Sequence, residues 1–208
     1  MDTFSIGGSI RFGWETFKKR PWFFVGVTLL IGIASGVASA IGSGFGNNGP
    51  AVGAGAIVNF VLSTLVGMGA TAFFLKAHDA PESVESTELW HPQSFFKYLG
   101  ATLLAMLVIL GGFILLIVPG IIFSLMLMFV SYIVIDRRLG PVEAIGESRR
   151  ITRGHKWKLL GFVLTIVGIN ILGLICLLVG LLVSIPVSSL AMVHAYRTLS
   201  KSAGTLAV

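Results

Sequence analysis

Three long stretches of the chain carry no Asp, Glu, Lys or Arg: Pro21 to Leu75, Tyr98 to Ile135 and Leu159 to Tyr196, runs of 55, 38 and 38 residues. A single helix needs only about 20 apolar residues to cross a hydrocarbon core roughly 30 Å thick, so each run is long enough for two crossings and too long for one. Lipid admits only helices or closed barrels, because every backbone group must be satisfied internally, and these runs lack the apolar/polar alternation of barrel strands. The expected fold is therefore all-α: a polytopic membrane protein with six transmembrane helices arranged as three hairpins.

Breaks within the runs set the spans. The first contains Gly42-Ser43-Gly44-Phe45-Gly46-Asn47-Asn48-Gly49-Pro50, the second Pro119-Gly120, and the third Gly180, with Pro186 left inside the last helix. The spans expected from this are about 22–42, 53–75, 97–118, 120–136, 157–179 and 181–198 within a membrane domain of residues 22–200. An amphipathic segment, 1–21, precedes that domain, and a short tail, 201–208, follows it. Composition agrees: 55% of residues are hydrophobic and 12% charged, about half the charged share of a soluble domain, which excludes a water-soluble monomer.

With six spans, all 15 basic and all 9 acidic residues fall on one side. Lys/Arg excess marks the cytoplasmic face, so the expected location is a bacterial inner membrane, with both termini cytoplasmic. Topology alone explains the net charge of +6, and there is no room for a soluble basic domain that would bind nucleic acid. Lys18-Lys19-Arg20, the apolar run after Trp22 and Ala38-Ser39-Ala40 also imitate a cleavable signal peptide; the apolar run is long for that role. The single Cys176 lies inside an expected span and offers no intramolecular disulfide.

Two surface helices are expected on the charged side. Ile6, Ile10, Trp14 and Phe17 make one stripe suited to anchoring in the membrane interface. A second helix, 141–154, begins at Pro141 and stops at Gly154, with Ala144, Ile145, Ser148, Ile151 and Thr152 on one face. A weak repeat opens each hairpin: Trp22 to Leu29, Phe96 to Leu103 and Trp157 to Leu164 share aromatic-x-x-aliphatic-Gly-x-x-Leu. Gly32 and Gly36, like Ala101 and Ala105, put small residues on one helix face and predict close helix packing.

Catalytic signatures are lacking. His78, His91, His155 and His194 have no metal-ligand spacing, and there is no Walker loop, nucleophile elbow or His-Glu-x-x-His helix, so neither a metal nor a cofactor is expected. Asn59 and Asn170 are the strongest polar groups within the spans and predict hydrogen bonds across helices, while His194 lies near the end of the last span. The most basic segment, Asp136 to Lys158, holds Arg137, Arg138, Arg149, Arg150, Arg153, Lys156 and Lys158 against Asp136, Glu143 and Glu147. It is the expected contact for anionic membrane lipids; a membrane-protein partner or a second copy is the other candidate.

Pro119-Gly120-Ile121, Glu143-Ala144, Ser148, Thr152 and Gly154 in the basic segment, Gly180 with Pro186, and Tyr196-Arg197 resemble uncharacterised bacterial inner-membrane proteins related to the membrane domain of glycerophosphoryl diester phosphodiesterases. The likeness is best from about Gly111 to Leu199. It implies a membrane domain without the soluble barrel that carries the chemistry in phosphodiesterase members, and it brings no catalytic residue to this chain. The expected function is a non-enzymatic membrane-organising or lipid-interaction module. Its alternatives are a transporter of lipid or another apolar solute, with Asn59, Asn170 and His194 lining a cavity, and an interfacial lipid-modifying enzyme gathering Asp136, Glu143, Glu147, His91 or His155.

Overall fold

A computed structural model describes residues 4–45, 50–85, 87, 94–176 and 180–204. The described residues are almost entirely helical and contain no strand: α1 (Ile6–Lys19), α2 (Pro21–Ser43), α3 (Pro50–Asp79), α4 (Phe95–Leu115), α5 (Ile117–Leu127), α6 (Val130–Arg137), α7 (Pro141–Thr152), α8 (Lys156–Ile175) and α9 (Leu181–Ser202). Five stretches are long and apolar enough to cross a membrane: Pro21–Ser43, Val52–Asp79, Phe95–Leu115, Ile117–Arg137 and Lys156–Ile175.

The expected sixth span, 181–198, corresponds to α9, which is not among the five. The reason lies in its surroundings. α9 packs against α1, α2, α3, α7 and α8, and buries Ser184, Ser188, Leu190, Ala191, Tyr196 and Leu199. Its serines, Pro186, His194 and Arg197 make α9 less apolar than the five spans, and neighbouring helices supply partners for such groups.

The second hairpin also differs from expectation. Its turn is at Leu116, in extended conformation (φ −168°, ψ 156°), and Pro119 and Gly120 lie inside the first turn of α5. Proline is tolerated there because the first N–H groups of a helix have no intrahelical acceptor. Residues 46–49 of the first turn and 177–179 of the third lie outside the described residues.

The repeat extends well beyond its opening motif. The buried residues of α1 are Ser9, Gly13, Thr16 and Phe17, and those of α7 are Ala144, Ser148, Ile151 and Thr152. Each pair differs by 135 in residue number, as do Ile6 and Pro141, Trp22 and Trp157, and Gly26 and Gly161. A shift of 61 likewise superposes Phe96 on Trp157, Gly112 on Gly173, Phe123 on Ser184 and Met126 on Val187. Contacts follow the shift of 61 at Gly112 with Phe123 and Gly173 with Ser184, while the facing glycines Gly120 and Gly180 are one residue out of register. A side chain at Gly112 would strike Phe123 and Gly120, and one at Gly173 would strike Ser184 and Gly180. The first hairpin makes the corresponding contact between Gly42, Gly55 and Asn59.

Each surface helix lies on the hairpin before its own, so α7 covers the second hairpin and α1 closes the ring onto the third. Ser148 Oγ donates to the Met126 carbonyl at 2.7 Å, and Gly13 sits against the Val187 carbonyl. Gly100 abuts Pro141, the first residue of α7, and Gly161 abuts Ile6, the first residue of α1. Arg20 donates to the carbonyls of Glu82 and Val84 at 3.1 and 3.2 Å, which fastens the segment after α3 over the first hairpin. The repeat rings Trp22, Phe96 and Trp157 are 86%, 84% and 85% exposed, a belt at one level of the bundle.

The stripe expected to anchor α1 is mostly a protein-packing face. Phe17 is buried, Ile6 and Ile10 pack against the core, and Trp14 is exposed. Of the small pairs, Ala101 and Ala105 pack inside the bundle, whereas Gly32 and Gly36 are open, with nothing near either. Asn170 bridges helices as expected: it donates to Ser188 Oγ at 3.0 Å and accepts from Ser184 Oγ at 2.9 Å. Asn59 instead accepts from Ser63, one turn along its own helix.

Candidate functional site: a basic pocket and the charged node behind it

α7 begins with Pro141 at its first position and the Glu143 carboxylate accepting from the Gly140 N–H at 3.1 Å. It ends at Thr152, and Gly154 takes a left-handed conformation (φ +83°) that turns the chain directly into α8. That tight corner brings Arg149, Arg150 and Arg153 beside Lys156, around a pocket of about 380 Å³ floored by Met126 and Gly146. Four of the seven expected basic residues therefore converge. Lys158 is exposed outside the lining. Arg138 caps α6 in the left-handed region, and its carbonyl accepts from Lys97 Nζ at 2.7 Å. Arg137 turns inward and donates to Glu147 at 2.7 Å, and the other oxygen of Glu147 faces Arg150 Nε at 3.2 Å.

Behind Arg137 lies a part-buried node joining the returning helices of all three hairpins. Arg197 of α9 donates to Asp136 of α6 at 2.8 Å and to Asp79 of α3 at 2.6 Å. The Tyr196 hydroxyl donates to the same Asp136 oxygen at 2.7 Å. The other oxygen of Asp79 pairs with His78 Nδ1 at 3.0 Å, and His78 Nε2 meets His194 Nδ1 at 3.2 Å. Phe12 of α1 stacks on His194 at 4.3 Å between ring centroids and lies tilted against His78 at 4.6 Å. Among the described residues no group of three or more His, Cys, Asp or Glu is placed to hold a metal.

His194 thus sits in the node rather than in a cavity. Asp79, His78, Phe12 and Arg197 were not among the expected site residues, although a signal existed: Asp136 and Arg197 are the first ionisable residues after the second and third charge-free runs, and His78-Asp79 closely follow the first. Charges at such positions need partners from neighbouring helices. The acids and histidines considered for enzymatic chemistry do not converge. Asp136 is in the node, Glu143 caps α7, Glu147 holds two arginines, and His155 Nδ1 contacts the Arg153 carbonyl. His91 lies outside the described residues.

This geometry defines a helical protein of membrane-spanning type with a cationic pocket at its charged end. Residues 101–203, which hold the pocket and two of the three hairpins, match a family described as protein of unknown function (DUF975). The chain is also similar to the uncharacterised protein Rv2560 of Mycobacterium tuberculosis, with 24% identity over 226 residues that span 95% of this chain and 69% of that protein. No solved structure matches. Neither match connects the chain with phosphodiesterase membrane domains.

Proposed function

We propose that the protein is a non-enzymatic membrane module that docks anionic phosphate groups of lipids in the pocket between α7 and α8. The supporting observation is an internal comparison. α1 packs on the third hairpin with the same face that α7 lays on the second, although it runs into α2 through Arg20 without a left-handed turn, and the positions equivalent to Arg149, Arg150, Arg153 and Lys156 hold Trp14, Glu15, Lys18 and Pro21. In α1 the Arg11 hydrogen bond holds the exposed Glu15 carboxyl below the usual carboxylate range, and Lys18 lies over the Trp14 ring. Packing therefore does not require four cations at this corner, and their concentration in one repeat suits a phosphate.

The test is the triple variant Arg149→Gln, Arg150→Gln, Arg153→Gln in vesicles containing anionic lipid. Each cation near an anionic surface contributes about 1 kcal/mol, so loss of three should weaken association with the anionic lipid by a factor of about 100, with the salt dependence reduced in parallel. Wild-type lipid retention by a correctly inserted triple variant would sink the reading. A lipid or apolar-solute transporter is the second reading; it draws support from an apolar groove on α4, while Asn170 is engaged by Ser184 and Ser188, Asn59 accepts from Ser63, and His194 meets His78.

The same proposal places α9 as a sixth, protein-wrapped span, the protein in a bacterial inner membrane, and both termini in the cytoplasm, with the phosphodiesterase-related membrane domains as its relatives. Lys and Arg on the charged side carry the orientation. In a Cys176→Ser background, a cysteine at exposed Ser43 should react with an impermeant maleimide from outside, and one at exposed Ser202 should not. Ser148 is fully buried and would report nothing. External labelling at Ser202 would overturn the orientation.

A further inference from the structure

The second hairpin contains a gap at a level where the described residues of its repeat partner are joined by hydrogen bonds. A groove of about 420 Å³ runs between α4 and the interruption at Met128–Phe129, lined by Thr102, Ala105, Met106, Ile109, Val130 and Ser131 among others, and its volume is in the range of ligand pockets. In the third hairpin the equivalent helix α9 is unbroken. There Asn170, Ser184 and Ser188 lock together at the positions that Ile109, Phe123 and Leu127 occupy in the second. The space closed by hydrogen bonds in one repeat is left open and apolar in the other.

One polar atom in the groove is unaccounted for. Thr102 Oγ1 is buried and has no hydrogen-bond partner. Other hydroxyls in the apolar helices donate to the carbonyl four residues earlier: Thr28 to Phe24, Thr64 to Phe60, Thr71 to Gly67 and Thr165 to Gly161. Thr28 occupies the same position of the opening motif as Thr102, so the repeat itself permits that bond. A buried donor left unpaired is costly and marks a missing acceptor.

We infer that the groove binds one acyl chain of a membrane glycerolipid, with the ester carbonyl accepting from Thr102 Oγ1. Met106, Leu110 and Phe113 are 54%, 50% and 45% exposed, so the groove opens sideways along α4, toward the acyl chains of a bilayer. Thr102 lies six residues beyond the exposed Phe96 ring, about 9 Å along the helix, which is the depth at which headgroups give way to hydrocarbon. A chain that carries an ester at that depth matches a slot that is apolar apart from the hydroxyls of Thr102 and Ser131. A helix of a second copy would match it less well, because its carbonyls are already bonded internally. The groove is distinct from the basic pocket, since Met126 lines the pocket and the next residue, Leu127, lines the groove.

The full chain in nanodiscs of phosphatidylcholine carrying a diazirine in one acyl chain tests this. Photolabelling should concentrate on Met106, Ile109 and Ser131 rather than on the exposed Leu164 and Leu172 of α8. Thr102→Val keeps the volume and removes the donor, so it should lower groove labelling by about tenfold without lowering the melting temperature. Ala105→Trp should abolish it by filling the groove. The triple Gln variant should label as the wild type does, because phosphatidylcholine is zwitterionic and the pocket is not its anchor. Equal labelling of α8 and the groove, wild-type labelling of Thr102→Val, or crosslinks to a second copy would each overturn the assignment.

Discussion

Arg197→Ala should destabilise the bundle by about 3 kcal/mol, because it leaves the largely buried Asp136 carboxylate without its cation. The Arg197 and Asp136 side chains are 15% and 14% exposed, whereas Asp79 is 48% exposed. Most of the loss therefore comes from the Asp136 arm, and solvent screens the Asp79 arm. Thermal unfolding of the purified protein in detergent measures the effect. Replacing the whole node with neutral residues, Arg197→Met with Asp79→Asn and Asp136→Asn, should restore much of the stability, since an uncompensated buried charge costs more than the pair contributes. A single Arg197→Ala variant that melts with the wild type would show that the node does not hold the three hairpins together.

Gly13→Val should release α1 from α9. A side chain at Gly13 meets the Val187 carbonyl and lies 3.1 Å from the Ala191 nitrogen and 3.4 Å from its β-carbon; the first two are backbone atoms that cannot rotate away. Overpacking of this kind costs about 2 kcal/mol, roughly a thirtyfold shift toward an open α1. Trypsin cleavage at Arg11, Lys18 and Lys19 should accelerate accordingly. Gly7→Val, at a position with nothing within 4 Å, carries the same change in helix propensity without the collision and should cleave much more slowly. Equal rates for the two variants would mean that α1 is not seated through Gly13.

Release of α1 would also uncover the imidazoles of His78 and His194, since the Phe12 ring lies against both. The node and the surface helix are thus one structural unit, although Phe12 and Arg197 are far apart in the chain. In lipid, helix association draws little on hydrophobic burial and depends on close backbone approach and on polar contacts. The Gly42–Gly55, Gly112–Gly120 and Gly173–Gly180 contacts supply the approach within hairpins, and Arg197 supplies the polar contact between them.

The charge-free runs by themselves determined that this chain is helical, where its long apolar helices begin, and that its charged residues lie between those hairpins. Lipid-compatible backbone and the cost of embedding charge admit no other arrangement. Pro141 and Gly154 similarly marked the bounds of α7, because their effects are local. Which helix occupies the centre was decided by tertiary structure: the sequence reads 181–198 as one span among six, and only the packing of five other helices around α9 sets it apart from the five apolar spans as the central helix. The stripe Ile6, Ile10 and Phe17 was visible as a stripe, but whether it met lipid or protein depended on where the third hairpin lay. Convergence of Arg149, Arg150, Arg153 and Lys156 required the corner at Gly154, and pairing of Asp79 with Arg197 required two hairpins to meet. Spacing along the chain reports the faces of one helix, whereas partners a hundred residues away are chosen by packing.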